Sequence, residues 1–214
     1  MIKREIFYNA ISPYFRRRRM HWFETRVDLQ PQERLLDVGG DPLFWAEAML
    51  PNPTTVLNEK LPPDAETRWP RFTFRIGDAC ALPFADDEFD VVFSNSVIEH
   101  VGTWEQQMKF AAEARRTGRK LWIQTPAYEF FMDPHLLTPF IHWLPVRWQR
   151  RLFRNFTVIG LILRPSIADV DTFLARTRML KRHEIPLLFP DCEILEEKFL
   201  GMTKSYIAMR KDRG

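Results

Sequence analysis

Cysteine is scarce in this 214-residue chain: Cys80 and Cys192 are its only two, with no C-x-x-C spacing and no histidines clustered beside them. A disulfide framework and a zinc or other metal site are therefore not expected, and a reducing cytoplasm is the expected compartment. Long hydrophobic runs are missing too. Charges break every apolar stretch of the opening MIKREIFYNAISPYFRRRR before it reaches the length of a signal-peptide core, and no apolar run is long enough to span a bilayer. A strong charge of one sign is also lacking, since 31 basic residues face 28 acidic ones for a net charge of +3 and a pI near 9.0. So small an excess gives no reason to expect a long nucleic acid as partner. No Ser-His-Asp or Cys-His arrangement suggests a covalent nucleophile.

What is present is enough apolar material, 45% hydrophobic with 14% aromatic, to close one substantial core, so residues 1–214 are expected to form a single domain. Residues 1–33 read as a helical lead-in, with Ile6, Phe7, Ile11, Phe15, Trp22 and Phe23 as its apolar positions and Pro13 as a break. The tetrad Arg16 to Arg19 reads as a solvated basic face, with phosphate contact as the alternative. From Arg34 short apolar runs alternate with helical stretches, the signature of a parallel sheet flanked by helices. Strands are expected over 34–38, 54–59, 72–79, 88–95 and 120–125. Helices are expected over 43–50, after Thr103 (a capping box with Gln106, and Trp104, Met108 and Ala111 on one face), and near 166–180 behind a Ser166 cap. The segment 127–165 is an aromatic and basic insertion that resembles neither a strand nor a simple amphipathic helix. Segments 192–199 and 203–210 around Leu200-Gly201-Met202 predict a closing hairpin.

A ligand at the carboxyl end of such a sheet needs a tight glycine turn after strand one and an acid after strand two. Asp37, Gly39 and Gly40 meet the first need and Glu59 the second. Gly77-Asp78-Ala79 ends strand three, Leu82-Pro83-Phe84 follows, and Phe89-Asp90-Val91-Val92 enters strand four. The ordered set Leu36-Asp37-Val38-Gly39, Glu59, Gly77-Asp78-Ala79, Phe89-Asp90-Val91-Val92 and Ile98-Glu99-His100-Val101 resembles the class I S-adenosylmethionine-dependent methyltransferases, over about residues 34 to 126.

The resemblance implies a Rossmann-like α/β fold of three α/β/α layers, with a seven-stranded, mostly parallel sheet whose last strand is antiparallel. It implies S-adenosylmethionine as cofactor. Asp37 and Gly39 would line its methionine moiety, with Gly40 also cofactor-binding in the same turn, Glu59 would hold the ribose, Asp78 and Ala79 would bracket the adenine, and Asn95 would border the methyl. The family's Gly-rich turn is here altered to Gly39-Gly40-Asp41-Pro42. A catalytically inactive scaffolding module with the same fold therefore stands as the alternative. A nicotinamide oxidoreductase is disfavoured, because it would want G-x-G-x-x-G after strand one.

The insertion about 127–165 is expected to cap the acceptor, with Tyr128, Phe130 and Phe131 as an apolar wall and His135 as candidate base, oriented by Asp133. His100 is the second candidate, and bracing of the loop by His135 is the alternative. Ser94-Asn95-Ser96-Val97 is not the Asn-Pro-Pro-Tyr of amino methylation, so a small-molecule, lipid- or sugar-linked acceptor is expected, methylated at oxygen. The basic and aromatic stretch 143–156, with Arg147, Arg150, Arg151 and Arg154, either meets a membrane surface peripherally or packs a cap.

Overall fold

The computed structural model describes residues 17–42, 44–45 and 50–212. Ile6, Phe7, Ile11, Pro13, Phe15 and Arg16 of the lead-in, and most of the helix expected over 43–50, lie outside the described residues. Within them a helix, 17–27 (α1), carries Met20, Phe23 and Val27 at three- and four-residue spacing, and all three are buried.

Seven strands follow in a single sheet: β1 (Leu35–Val38), β2 (Thr54–Asn58), β3 (Phe72–Ile76), β4 (Phe89–Asn95), β5 (Gly118–Pro126), β8 (Glu193–Phe199) and β9 (Met202–Arg210). Their order is β3-β2-β1-β4-β5-β9-β8, and β9 runs antiparallel to both of its neighbours. The expected seven-stranded, mostly parallel sheet with an antiparallel final strand is thus the observed one. Burial on both faces explains why the strands read as near-continuous apolar runs. Leu36, Val38, Leu57, Val92, Leu121, Ile123 and Ala208 belong to one core. Their neighbours Leu35, Val56, Val91, Phe93, Trp122, Ile207 and Met209 belong to the other, with Phe23 and Trp45. The alternation is the strand period of two.

Helix α2 (Ala65–Arg68) precedes β3, and α3 (Trp104–Thr117) joins β4 to β5 behind a short 3-10 turn, Ile98–His100. Thr103 caps α3 by accepting from the Gln106 amide. The expected face of α3 needs correction: Gln107, Phe110, Ala111 and Ala114 are buried whereas Met108 is 43% exposed. Strand β3 also ends earlier than expected, at Ile76, because the Asp78 carboxylate accepts from the Cys80 amide and turns the chain.

Between β5 and β8 lies the insertion, and here too the sequence expectation is corrected, since much of it is helical. A two-stranded ribbon, β6 (Met132–Asp133) with β7 (Thr138–Pro139), leads into a 3-10 turn and then α4 (Val146–Phe156), α5 (Val158–Leu163), α6 (Ile167–Arg176) and α7 (Ile185–Leu188). Leu136, Ile141, Phe153 and Val170 form a small core of their own beneath these helices. Ser166 and Asp169 close a full capping box on α6.

Candidate functional site

The carboxyl ends of β1, β2, β3 and β4 lie side by side, and the loops leaving them interlock. Gly39, at φ +76°, donates its amide to the Leu57 carbonyl at 2.7 Å, and Gly77 donates to the Asn58 carbonyl at 3.1 Å. The Asn58 side-chain amide donates to the Gly40 carbonyl at 2.8 Å. Glycine is required at both turn positions: a Cβ on Gly39 would stand 2.6 Å from Val97 Cγ2, and one on Gly40 would overlap the Asp37 carboxylate. Asp37, Gly39, Gly40, Asp78, Ala79 and Asn95 are thereby gathered at one edge of the sheet, with Glu59 just beyond β2.

Asp37 is fully buried, and its Oδ2 accepts from Trp45 Nε1. Burial drives its carboxyl up to about 7, the Trp45 hydrogen bond opposes this, and the Asp41 charge adds to it. Among the described residues its Oδ1 is buried without a hydrogen-bond partner.

Glu59 is exposed and pairs with Arg176 of α6 at 2.6 Å. The next two residues continue across the site. Thr177 Oγ1 lies 3.4 Å from His100 Nδ1, and the Arg178 amide donates to the Glu99 carbonyl at 2.7 Å. Residues 176–178 thus form a strap from the end of β2 to the end of β4. No local signal in the sequence marks a contact between positions this far apart.

The Arg19 expectation is corrected. Arg17 and Arg18 are exposed, but Arg19 is buried, donating Nη1 to Asn95 Oδ1 and Nη2 to Glu197 Oε2 at 3.3 Å. The signal was present, since Arg19 lies one helical turn before Phe23 on the buried stripe of α1. Beside Glu197, burial pulls the Lys204 ammonium down to about 8; the Glu197 charge opposes this and that of Arg19 adds to it.

The second group of titratable residues joins the 3-10 turn after β4 to the insertion. Glu99 is completely buried, and its Oε2 accepts from Thr125 Oγ1 at 3.0 Å. Its Oε1 faces His135 Nε2 at 3.8 Å, too long for a hydrogen bond. His135 Nδ1 lies 3.3 Å from Asp133 Oδ1, and the His100 and His135 rings meet edge to face at 4.7 Å. Asp133 also receives the amides of His135 and Leu136 and faces His142 Nδ1 at 3.8 Å. Burial alone would lower His135, but Asp133 and Glu99 outweigh it and hold the imidazole up at about 9. Burial likewise would raise Asp133, yet His135 keeps it below the ordinary carboxylate range. A histidine held in that state already carries its proton at neutral pH. Service as a general base therefore does not follow from this arrangement alone.

Phe130 is buried in the main core, while Tyr128 and Phe131 are half-buried beside it. Residues 48–120 match the family model of the methyltransferase domain. That match covers about a third of the chain, over the part that carries β2, β3 and β4. Among curated relatives, an uncharacterised methyltransferase of Mycobacterium tuberculosis is 36% identical over 86 residues, covering 37% of this chain and 34% of that protein. The match thus spans about a third of the relative's length. Among solved structures, a Burkholderia thailandensis 1,6-didemethyltoxoflavin-N1-methyltransferase, with 1,6-didemethyltoxoflavin and S-adenosylhomocysteine bound, superposes with a TM-score of 0.58 at 13% identity, covering 97% of this chain and 80% of that one. A Rhodobacter sphaeroides protein assigned to the Zn-dependent alcohol dehydrogenases superposes at 0.61, also 13% identical, covering 92% and 90%. At such identity both likenesses speak for the fold alone.

Proposed function

We propose that this chain binds S-adenosylmethionine over the carboxyl ends of β1 to β4 and transfers its methyl group to oxygen of a small-molecule, lipid-linked or sugar-linked acceptor held by the insertion about 127–165. The observation that carries the reading is the interlocked turn around Asp37. A buried carboxylate oxygen without a partner among the described residues, beside two glycines that leave backbone open, fits the ammonium end of the cofactor's amino-acid moiety. Glu59 fits the ribose, Asp78 with Ala79 the adenine, and Asn95, held by Arg19, the methyl end.

When bound, the cofactor supplies an electrophilic methyl on a sulfonium. The chain's part is to orient acceptor and cofactor in line and to exclude water. The acceptor side is assigned to His135 and His100, which meet where the insertion closes on β4. Calorimetry with S-adenosylmethionine and S-adenosylhomocysteine tests the reading. Saturable, roughly micromolar binding is expected; none at millimolar ligand would leave the scaffolding alternative in its place.

A contact with an anionic bilayer surface follows from α4. Val146, Trp148 and Phe156 are exposed beside Arg147, Arg151 and Arg154, and Trp143 and Leu144 continue the apolar strip. Phe153 instead packs inward, so the aromatics divide between the two expected roles. No helix among the described residues is long and apolar enough to cross a membrane. A surface contact is therefore the form that this reading takes.

A further inference from the structure

The geometry points to a divalent transition-metal site formed by Glu99, His100 and His135. One ligand atom from each lies within 4.8 Å of the others, and the three come from two elements that the fold brings together. Proximity alone would not make a site. What argues for an occupant is Glu99 Oε1: it belongs to a side chain with no solvent exposure, has no hydrogen-bond partner among the described residues, and faces His135 Nε2 at 3.8 Å. An unpartnered oxygen on a buried carboxylate is costly, and a cation between it and the two imidazoles removes that cost, taking the place of the proton that His135 holds without it.

The surroundings of the three residues are those of metal ligands. His135 turns Nδ1 to the Asp133 carboxylate at 3.3 Å and Nε2 inward, the carboxylate–histidine–metal order. Thr125 Oγ1 fixes the other Glu99 oxygen at 3.0 Å, and Thr177 Oγ1 reaches His100 Nδ1 at 3.4 Å. Glu99 and His100 thus each have an outer hydrogen-bond partner, while His135 Nδ1 has the Asp133 carboxylate beside it without a hydrogen bond to it. Two ligand atoms about 2.1 Å from a metal stand roughly 3.0–3.4 Å apart at octahedral or tetrahedral angles. The observed 3.8 Å between Glu99 Oε1 and His135 Nε2 needs only a small closing. Two imidazoles and one carboxylate favour Zn²⁺, Mn²⁺, Fe²⁺ or Co²⁺ over Mg²⁺ and Ca²⁺, which prefer all-oxygen shells. The set supplies three ligands and leaves positions open, as catalytic rather than structural sites do.

Metal binding itself stands apart from the methyltransferase reading. The consequence for the acceptor rests on that reading: the site lies beyond the end of β4, next to the strap, where an acceptor hydroxyl could occupy an open position.

The test uses tag-free protein stripped with chelator and dialysed. Co²⁺ is titrated by its visible absorption, and Zn²⁺ and Mn²⁺ by calorimetry. One equivalent is expected, with an intense ligand-field band for Co²⁺ and a raised melting temperature. Glu99→Gln and His100→Ala should each weaken affinity by at least about tenfold. His183→Ala, at an exposed histidine outside the proposed ligand set, should leave it unchanged. Because His100 is only half-buried, its variant stays informative if the buried Glu99 change impairs folding. No saturable binding at millimolar metal, or binding that both variants keep, overturns the site. S-adenosylhomocysteine affinity measured on the same preparation separates that failure from failure of the methyltransferase reading.

Discussion

Asp37 shows how one carboxyl group ties the fold to pH. Its pKa in the folded chain, about 7, stands well above the ordinary carboxylate value because burial disfavours the charged form. Between about pH 4 and 7 the folded state therefore holds a proton that the unfolded state has released, and stability falls as pH rises through that window. Asp37→Asn keeps an acceptor for Trp45 Nε1 but cannot ionise. Relative to the native chain the variant should gain stability from pH 4 to 7, by up to about 1.4 kcal/mol per pH unit, and gain nothing more above 7. Urea denaturation across that range checks it, and a pH-independent difference would contradict the assigned burial. Glu59 carries a binding prediction of the same scale. If it takes the ribose hydroxyls, it must leave Arg176, and Glu59→Ala should weaken S-adenosylhomocysteine binding by about tenfold or more by calorimetry. Unchanged affinity in a folded variant would remove the ribose assignment. Asp37 near the end of β1, Gly39 and Gly40 in the turn after it and Glu59 just past β2 were located by the sequence because strand ends are set locally. The pairing of Glu99 with His135 and the 176–178 strap were not, because they depend on where the insertion lands.

At the scale of elements, local chemistry was read well where it is self-contained. The Thr103 and Ser166 caps sit where the sequence put them, because a cap is decided by residues three apart. The closing hairpin was equally visible, but its turn carries a cost that pattern alone does not reveal. Leu200 and Gly201 both adopt positive φ, 49° and 80°, as a two-residue hairpin turn demands, and Leu200 is 80% exposed. A leucine gains nothing there and bears the left-handed strain, whereas asparagine tolerates it. Leu200→Asn should raise stability by about 0.5–1 kcal/mol, seen as a higher urea midpoint with unchanged slope. A lower midpoint would mean that Leu200 is covered by something the hairpin docks against. Helix α4 escaped the sequence reading because its arginines and aromatics were read as a composition rather than at helical spacing. Its signal was in fact present: Arg147, Arg150, Arg151 and Arg154 fall on one face at helical spacing, and Trp148, Leu152, Phe153 and Phe156 fall on the other, with Phe153 and Leu152 against the small core of the insertion.

For the whole molecule the alternation of apolar runs and helices predicted a parallel sheet flanked by helices, the family resemblance implied seven strands with the last antiparallel, and the order β3-β2-β1-β4-β5-β9-β8 came only with the structure. The charge distribution did not follow from the net charge. A chain with only +3 overall nonetheless concentrates Arg147, Arg151 and Arg154 on one exposed helix, beside Trp148 and Phe156, while Arg150 is taken up by Asp171. A basic cluster among aromatics favours an anionic interface over a neutral one, because the apolar groups insert shallowly while the guanidinium groups meet headgroup phosphates. The chain should therefore co-sediment with phosphatidylserine-containing vesicles at low salt and much less with phosphatidylcholine alone. Raising the ionic strength should release it, as the attraction decays within a Debye length. Replacing Arg147, Arg151 and Arg154 together by Gln, all at exposed positions, should reduce binding by about tenfold or more without shifting the melting temperature. Trp148→Ala should weaken binding to anionic vesicles without changing its salt dependence, which separates insertion from attraction. Equal sedimentation with both vesicle types, or a triple variant that binds as the native chain does, would leave α4 as a cap helix whose exposed aromatics serve the acceptor rather than a bilayer.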